Sequence, residues 1–269
     1  MVKRLYILGR FDNKGVSGDD SSELDHYMEL GWEIMSTGFW AKNNLSEGDG
    51  ICTTVDRLFM YEHITDNLVA YEDFSKKENE DALNKKYDEF IALHMIKDEI
   101  LKDHNEREWT KNETDNMVKN SIPKCKEEKD FVCVQIRNRD HCKYRGGDDS
   151  SWIGCVKLLS KMYDKVYVVG KGNENKHLPD NAEIVNLKKY CSLIRSEKCV
   201  ASFGPSSGCM MLNYIYGKKD LAVHVLYTES ITVQQSGHIL FFGDRINLAK
   251  VKSNLHFDFG SIVKEIRKL

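Results

Sequence analysis

Hydrophobic residues along this chain fall in short blocks separated by polar, turn-forming segments, and the blocks switch between the two-residue period of strands and the wider period of helices. Residues 4–9 (RLYILG) read as a buried strand that meets the loop GRFDNKGVSGDD. Ser21-Ser22-Glu23-Leu24 supplies an N-cap and an acidic first turn for a helix to about Gly31. Strands are predicted near Trp32–Phe39, at Asp49–Thr54 and at Asn67–Phe74, with a helix over Val55–Thr65 that carries Val55, Leu58, Phe59 and Ile64. From Glu78 to about Lys119 the pattern is charged and helical, with Tyr87, Phe90, Ile91, His94, Met95 and Ile100 as its apolar stripe; His94 is assigned to packing, not to a metal. Ser121-Ile122-Pro123-Lys124 marks a hinge.

A second array follows: strand 131–137, helix 150–163, strands 165–170 and 183–187, helix 188–197, strand 198–203, helix 206–217 and strand 221–227. Strands alternating with helices indicate parallel sheets. Two such arrays around a helical connection predict an α/β chain of two facing Rossmann-like domains. Their expected bounds are 1–124 and 125–258, and a C-terminal helix at 259–269 has room to return to the first domain.

Composition narrows the function. A chain of 269 residues with 41% hydrophobic residues can form two modest domains with real cores. A net charge of -3 and a pI near 6.3 speak against a nucleic-acid binder, so any anion site is local. The eight cysteines, at 52, 125, 133, 142, 155, 191, 199 and 209, form no CxxC, which fits reduced, packed thiols and neither a disulfide framework nor zinc. The apolar run near the N-terminus is too short for a signal-peptide core, and no stretch approaches the roughly 20 apolar residues of a membrane span. The expectation is a soluble, cytoplasmic protein.

Two segments carry candidate chemistry. In FVCVQIRNRDHCKYRGGDD (131–149), Val132, Val134 and Ile136 alternate with Cys133, Gln135, Arg137 and Arg139, so both arginines share a face where the strand ends. Ligands of open α/β sheets bind outside the carboxyl ends of strands, and a guanidinium fork there suits phosphate or carboxylate. Surface ion pairs with Asp140, Asp148 or Asp149 are the alternative. In the second segment, Gly204-Pro205-Ser206-Ser207-Gly208 leads from a strand into the helix Cys209–Tyr216, gathering free backbone N–H groups, two hydroxyls and the positive helix end as a diphosphate cradle. The simpler reading makes Ser206 an N-cap only. There is no GxxxxGK[ST], and Gly170-Lys171-Gly172 lacks the third glycine of a dinucleotide fingerprint, which disfavours a kinase or NAD enzyme.

Three segments resemble the GDP-fucose-dependent fucosyltransferases of the GT-B fold, the protein O-fucosyltransferase type and its bacterial relatives. Gly9-Arg10-Phe11-Asp12-Asn13-Lys14 is similar to the family's GRFGNQ or GGLGNQ loop. Gln135-Ile136-Arg137-Asn138-Arg139-Asp140 is similar to its HxRxxD strand end, with glutamine for histidine, and Ser206-Ser207 to the serine pair opening a late helix. GPSSG is also similar to the equivalent turn of heptosyltransferase-like enzymes. Gln135, Asp12 and Lys14 depart from the fucosyltransferase pattern and bear on which sugar is used.

The resemblance implies an acceptor-side first domain and a second domain that binds the nucleotide-sugar. It implies a metal-independent, inverting glycosyltransferase acting on GDP-fucose or another GDP- or UDP-sugar, with a glycan or other hydroxyl acceptor. Gly9, Arg10, Asn13, Arg139, Ser206, Ser207 and Gly208 would hold the donor and Arg137 would stabilise the departing diphosphate, with no metal or cofactor needed. Asp12, Asp19 and Asp20 are possible bases, Asp12 being nearest the motif; each could equally cap a turn. Together with the missing secretory signal, the picture is a microbial or viral transferase. Two other classes stay open: a non-catalytic nucleotide-sugar or glycan-binding module, and an epimerase-like nucleotide enzyme.

Overall fold

The computed structural model describes residues 2–8, 30, 33–106, 122–136, 149–170, 177–205, 209, 212–213, 222–226 and 247–250. The chain divides between Ser121 and Ile122 into two compact units, each built on its own parallel sheet.

The first unit runs β1 (Arg4–Ile7), a π-helical turn (Glu33–Thr37) continuing into α1 (Gly38–Asn44), β2 (Gly50–Thr53), a 3-10 turn (Leu58–Met60), β3 (Leu68–Ala70) and α2 (Tyr71–Phe74). A second 3-10 turn (Lys77–Asn79), α3 (Glu80–Lys86), β4 (Glu89–Ala92) and α4 (Leu93–Glu106) complete it. The strand order is β3-β2-β1-β4, all parallel. Leu5 and Ile7 of β1 pack with Cys52 and Tyr87 on one face, flanked by Val69, Phe74 and Phe90. Tyr6, pointing the other way along the two-residue period, meets the Trp40 ring edge-on at 5.4 Å.

The second unit runs β5 (Phe131–Gln135), α5 (Asp149–Leu159), β6 (Lys165–Val169), β7 (Ala182–Val185), α6 (Leu187–Ile194), β8 (Cys199–Pro205), β9 (Ala222–Leu226) and β10 (Asn247–Lys250). Its parallel sheet has the order β10-β9-β8-β5-β6-β7. Val132, Val134 and Ile136 join Trp152, Val156 and Leu159 of α5 in the core, together with Val168 and Phe203. Burying one such side chain contributes roughly 1.5–3 kcal/mol. Phe131, Cys133 and Gln135 on the other face are buried as well, because a central parallel strand is covered on both sides.

Several expected elements are different in the structure. Residues 33–44 are helical, not a strand. The buried set Glu33, Ser36, Thr37 and Trp40 is an i, i+3, i+4, i+7 face, but three of its four members are polar, so hydrophobic periodicity does not register it. The helix expected over 55–65 is a run of turns around the Leu58–Met60 3-10 segment, and the strand expected over 67–74 stops at Ala70. The charged helical region is interrupted by β4, which pairs with β1 in register Arg4↔Glu89 with a 2.8 Å ion pair between those two side chains. Tyr87, Phe90 and Ile91 therefore do not lie on one helix. In α4 the buried stripe is Leu93, Ile96 and Ile100; His94 and Met95 face solvent, which corrects the packing assigned to His94. β10 was not expected, and the C-terminal helix expected at 259–269 lies outside the described residues.

Candidate functional site

Both sheets share one topological feature. In the second unit β5, β6 and β7 advance to one side, the chain then returns to lay β8 on the other side of β5, and β9 and β10 continue outward. The order reverses between β5 and β8, and at such a switch point the loops leaving the two strands diverge and leave a crevice at their carboxyl ends. The first unit repeats this logic with its switch between β1 and β4.

The residues expected to bind the donor follow directly on the switch-point strands. Ile136 N–H still bonds the Val169 carbonyl at 3.0 Å, so the chain stays on the sheet to the residue before Arg137. β8 stays paired with β9 as far as Pro205, the residue before Ser206. Leu8 N–H bonds the Cys52 carbonyl at 2.8 Å, one residue before the Gly9 loop. Gly9, Arg10, Asp12, Asn13, Arg137, Arg139, Ser206, Ser207 and Gly208 themselves lie outside the described residues, as do Asp19 and Asp20.

Contact between β5 and β8 at the switch is unusually close. A Cβ on Gly204 would stand 2.6 Å from the Gln135 Cβ and 2.9 Å from its carbonyl oxygen. Only glycine lets the two strands approach this far. Gln135, where the resembling family carries histidine, is 2% exposed and forms the wall that Gly204 touches.

Against β8 at this switch point lies a buried polar chain. The Tyr190 hydroxyl of α6 is 2.6 Å from Ser202 Oγ of β8 and donates to Asn213 Oδ1 at 3.1 Å. All three side chains are buried, and Asn213 is, with Cys209 and Leu212, one of the described helical residues after Gly208 in sequence. Burial, with Cys133 nearby, holds the Tyr190 pKa well above the ordinary phenol value, so this hydroxyl stays neutral.

In the first unit a second buried cluster stands at the carboxyl end of β2. Glu33 is fully buried and accepts from Thr53 Oγ1 at 2.8 Å, Tyr61 Oη at 2.8 Å and Arg57 Nη1 at 2.5 Å. Burial opposes the charge on Arg57, but Glu33 more than offsets this and raises its pKa. The donors are 20, 24 and 28 residues from Glu33 in sequence, so no local spacing announces them. The Tyr190 cluster is hidden in the same way.

Among the described residues there is no group of three His, Cys, Asp or Glu side chains able to hold a metal, and no helix long and apolar enough to cross a membrane. The seven described cysteines are free thiols; Cys133 and Cys199 touch, with sulfurs 4.0 Å apart.

No family model matches this chain, and no curated protein matches it. Solved structures do. The E. coli ADP-heptose LPS heptosyltransferase II superposes with a TM-score of 0.53 at 9% identity, covering 99% of both chains. The E. coli heptosyltransferase WaaC, solved with ADP, gives 0.54 at 7% identity over 99% of both chains. At these identities the likeness is one of architecture: two units, each with its own parallel sheet. The chain has the GT-B fold.

Proposed function

We propose that this protein is a glycosyltransferase whose second unit binds a nucleoside-diphosphate sugar at the β5/β8 switch point. The observation that carries the reading is the Gly204–Gln135 contact, because it brings the chain just before Arg137 and the chain just before Ser206 side by side at the carboxyl ends of two central strands. An arginine following β5 and a serine pair following β8 in sequence would match a diphosphate in charge and in hydrogen-bond donors.

The reaction is a single displacement with inversion. The acceptor hydroxyl oxygen attacks the anomeric carbon, the bond from that carbon to the β-phosphate oxygen breaks, and its electron pair leaves with the nucleoside diphosphate. The acceptor proton passes to a base, for which Asp12 is the first candidate. Arg137 and the N–H groups after Pro205 neutralise the charge that develops on the leaving diphosphate, a role that in other transferases falls to a metal. The motif resemblance favours a fucosyl donor, whereas one neighbouring structure is an ADP-heptose heptosyltransferase; a nucleoside diphosphate leaving group is common to both. The acceptor is a glycan or another hydroxyl compound.

The test screens GDP-fucose, UDP-sugars and ADP-heptose for thermal stabilisation, then follows donor hydrolysis and transfer with and without chelator. Arg137→Ala is expected to lower turnover by about 100–1,000-fold with little change in melting temperature, and Arg139→Ala by less. Near-native turnover in Arg137→Ala, or loss only in proportion to lost fold, removes the leaving-group assignment. Binding without turnover by the intact protein would instead make it a nucleotide-sugar-binding module.

A further inference from the structure

Resting on the donor site proposed above, we infer that Tyr190 is a positioning residue for it: its hydroxyl ties Ser202 of β8 to Asn213, the two anchors that flank Ser206 and Ser207 in sequence.

A phenol has one proton to give and can also accept. Donated to Asn213 Oδ1, that proton leaves the Tyr190 oxygen to accept from the Ser202 hydroxyl, so the bonds run in one direction from Ser202 through Tyr190 to Asn213. The chain joins three elements: α6, the end of β8 three residues before Pro205, and the helical residues five beyond Gly208. Serines 206 and 207 lie between the two anchor points, with Ser202 fixed on one side and Asn213 on the other. Since the network is fully desolvated, losing one member strands a buried partner, so the arrangement has one favourable geometry.

The platform under Tyr190 is itself held. Asn186 caps α6 by accepting from Lys189 N–H at 2.8 Å, and Cys191, Leu193 and Ile194 are buried. At its far end Ser192 Oγ donates to the Pro123 carbonyl at 2.7 Å and Arg195 Nη1 donates to the Ile122 carbonyl. A helix fixed at both ends can hold its central hydroxyl to the tolerance that an anion cradle needs. The position of Tyr190, on a different element from every motif residue, is why no motif contains it.

The experiment compares binding of GDP, UDP and ADP with binding of the corresponding nucleosides, by calorimetry, in wild type and in Tyr190→Phe, which keeps the ring and removes the hydroxyl; the ratio is read for whichever diphosphate the wild type binds. The expected result is about five- to tenfold weaker nucleoside diphosphate binding with nucleoside binding unchanged, so the ratio of the two falls. A purely structural role predicts a lower melting temperature with that ratio intact, and that outcome overturns the inference. If Tyr190→Phe fails to fold, Asn213→Ala breaks the far end of the chain and must lower the same ratio; an unchanged ratio there overturns the inference equally. Failure of GDP, UDP and ADP alike to bind the wild type overturns the donor-site reading itself, and the inference with it, and is distinguishable because no variant is needed to see it.

Discussion

Gly204→Ala tests the switch point directly. The added methyl would lie 2.6 Å from the Gln135 Cβ and 2.9 Å from the Gln135 carbonyl oxygen, against an ordinary contact of about 3.5–4.0 Å. Both obstacles are parts of β5 that cannot rotate away, so β5 and β8 must separate by about 1 Å at that level. Overpacking of this kind costs about 1–3 kcal/mol, which for a unit of this size lowers the melting temperature by roughly 2–12 °C. The displacement is concentrated at the strand ends that lead to Arg137 and Ser206, so nucleoside diphosphate affinity is expected to fall by at least about tenfold even where the protein is still folded. Gly50→Ala is the matched control. Its Cβ would meet the Tyr87 hydroxyl and would come within 2.8 Å of the Asn67 carbonyl in the first unit. It should lower stability comparably and leave the affinity alone. Calorimetric binding at a temperature where both variants are folded, with unfolding curves beside it, separates the two effects. Equal affinity losses in the two variants, or native affinity in Gly204→Ala, would refute the reasoning.

The buried Glu33–Arg57 pair gives a stability prediction: Glu33→Ala leaves Arg57 charged in the core and should cost about 3–5 kcal/mol by urea unfolding, whereas Glu33→Leu combined with Arg57→Met should cost less than either single change. Additive losses in that cycle would show that the two side chains do not act as a pair. His63 has both ring nitrogens buried without hydrogen-bond partners, and burial, with Lys42 adding to it, lowers its pKa below the ordinary 6.5. A base whose folded pKa is depressed contributes stability that is present above the unfolded pKa and lost as pH falls through the window down to the folded value, because the unfolded chain takes up the proton first. Between pH 7.5 and 5.5 the urea midpoint of the wild type should therefore fall further than that of His63→Asn; parallel profiles would count against it.

The parts of this fold legible in the sequence are those governed by local chemistry. The continuous apolar blocks of β5, β6 and β8 announce buried parallel strands, since no other short element needs to be apolar on both faces. The helix expected over 188–197 is α6, whose buried positions recur at helical spacing. What the sequence hides is set by distant partners. β4 is a strand because β1 presents its edge and Arg4 faces Glu89, and the polar helical face of 33–40 is buried because Thr53, Arg57 and Tyr61 arrive to satisfy Glu33. The same holds for the order of strands, which decides that the ends of β5 and β8 lie side by side, and for Tyr190, whose hydroxyl finds Ser202 and Asn213 only once α6 has packed. Periodicity and turn chemistry act over a few residues and can be read along the chain. Pairing, close approach and the satisfaction of buried polar groups act across it, and only tertiary structure decides them.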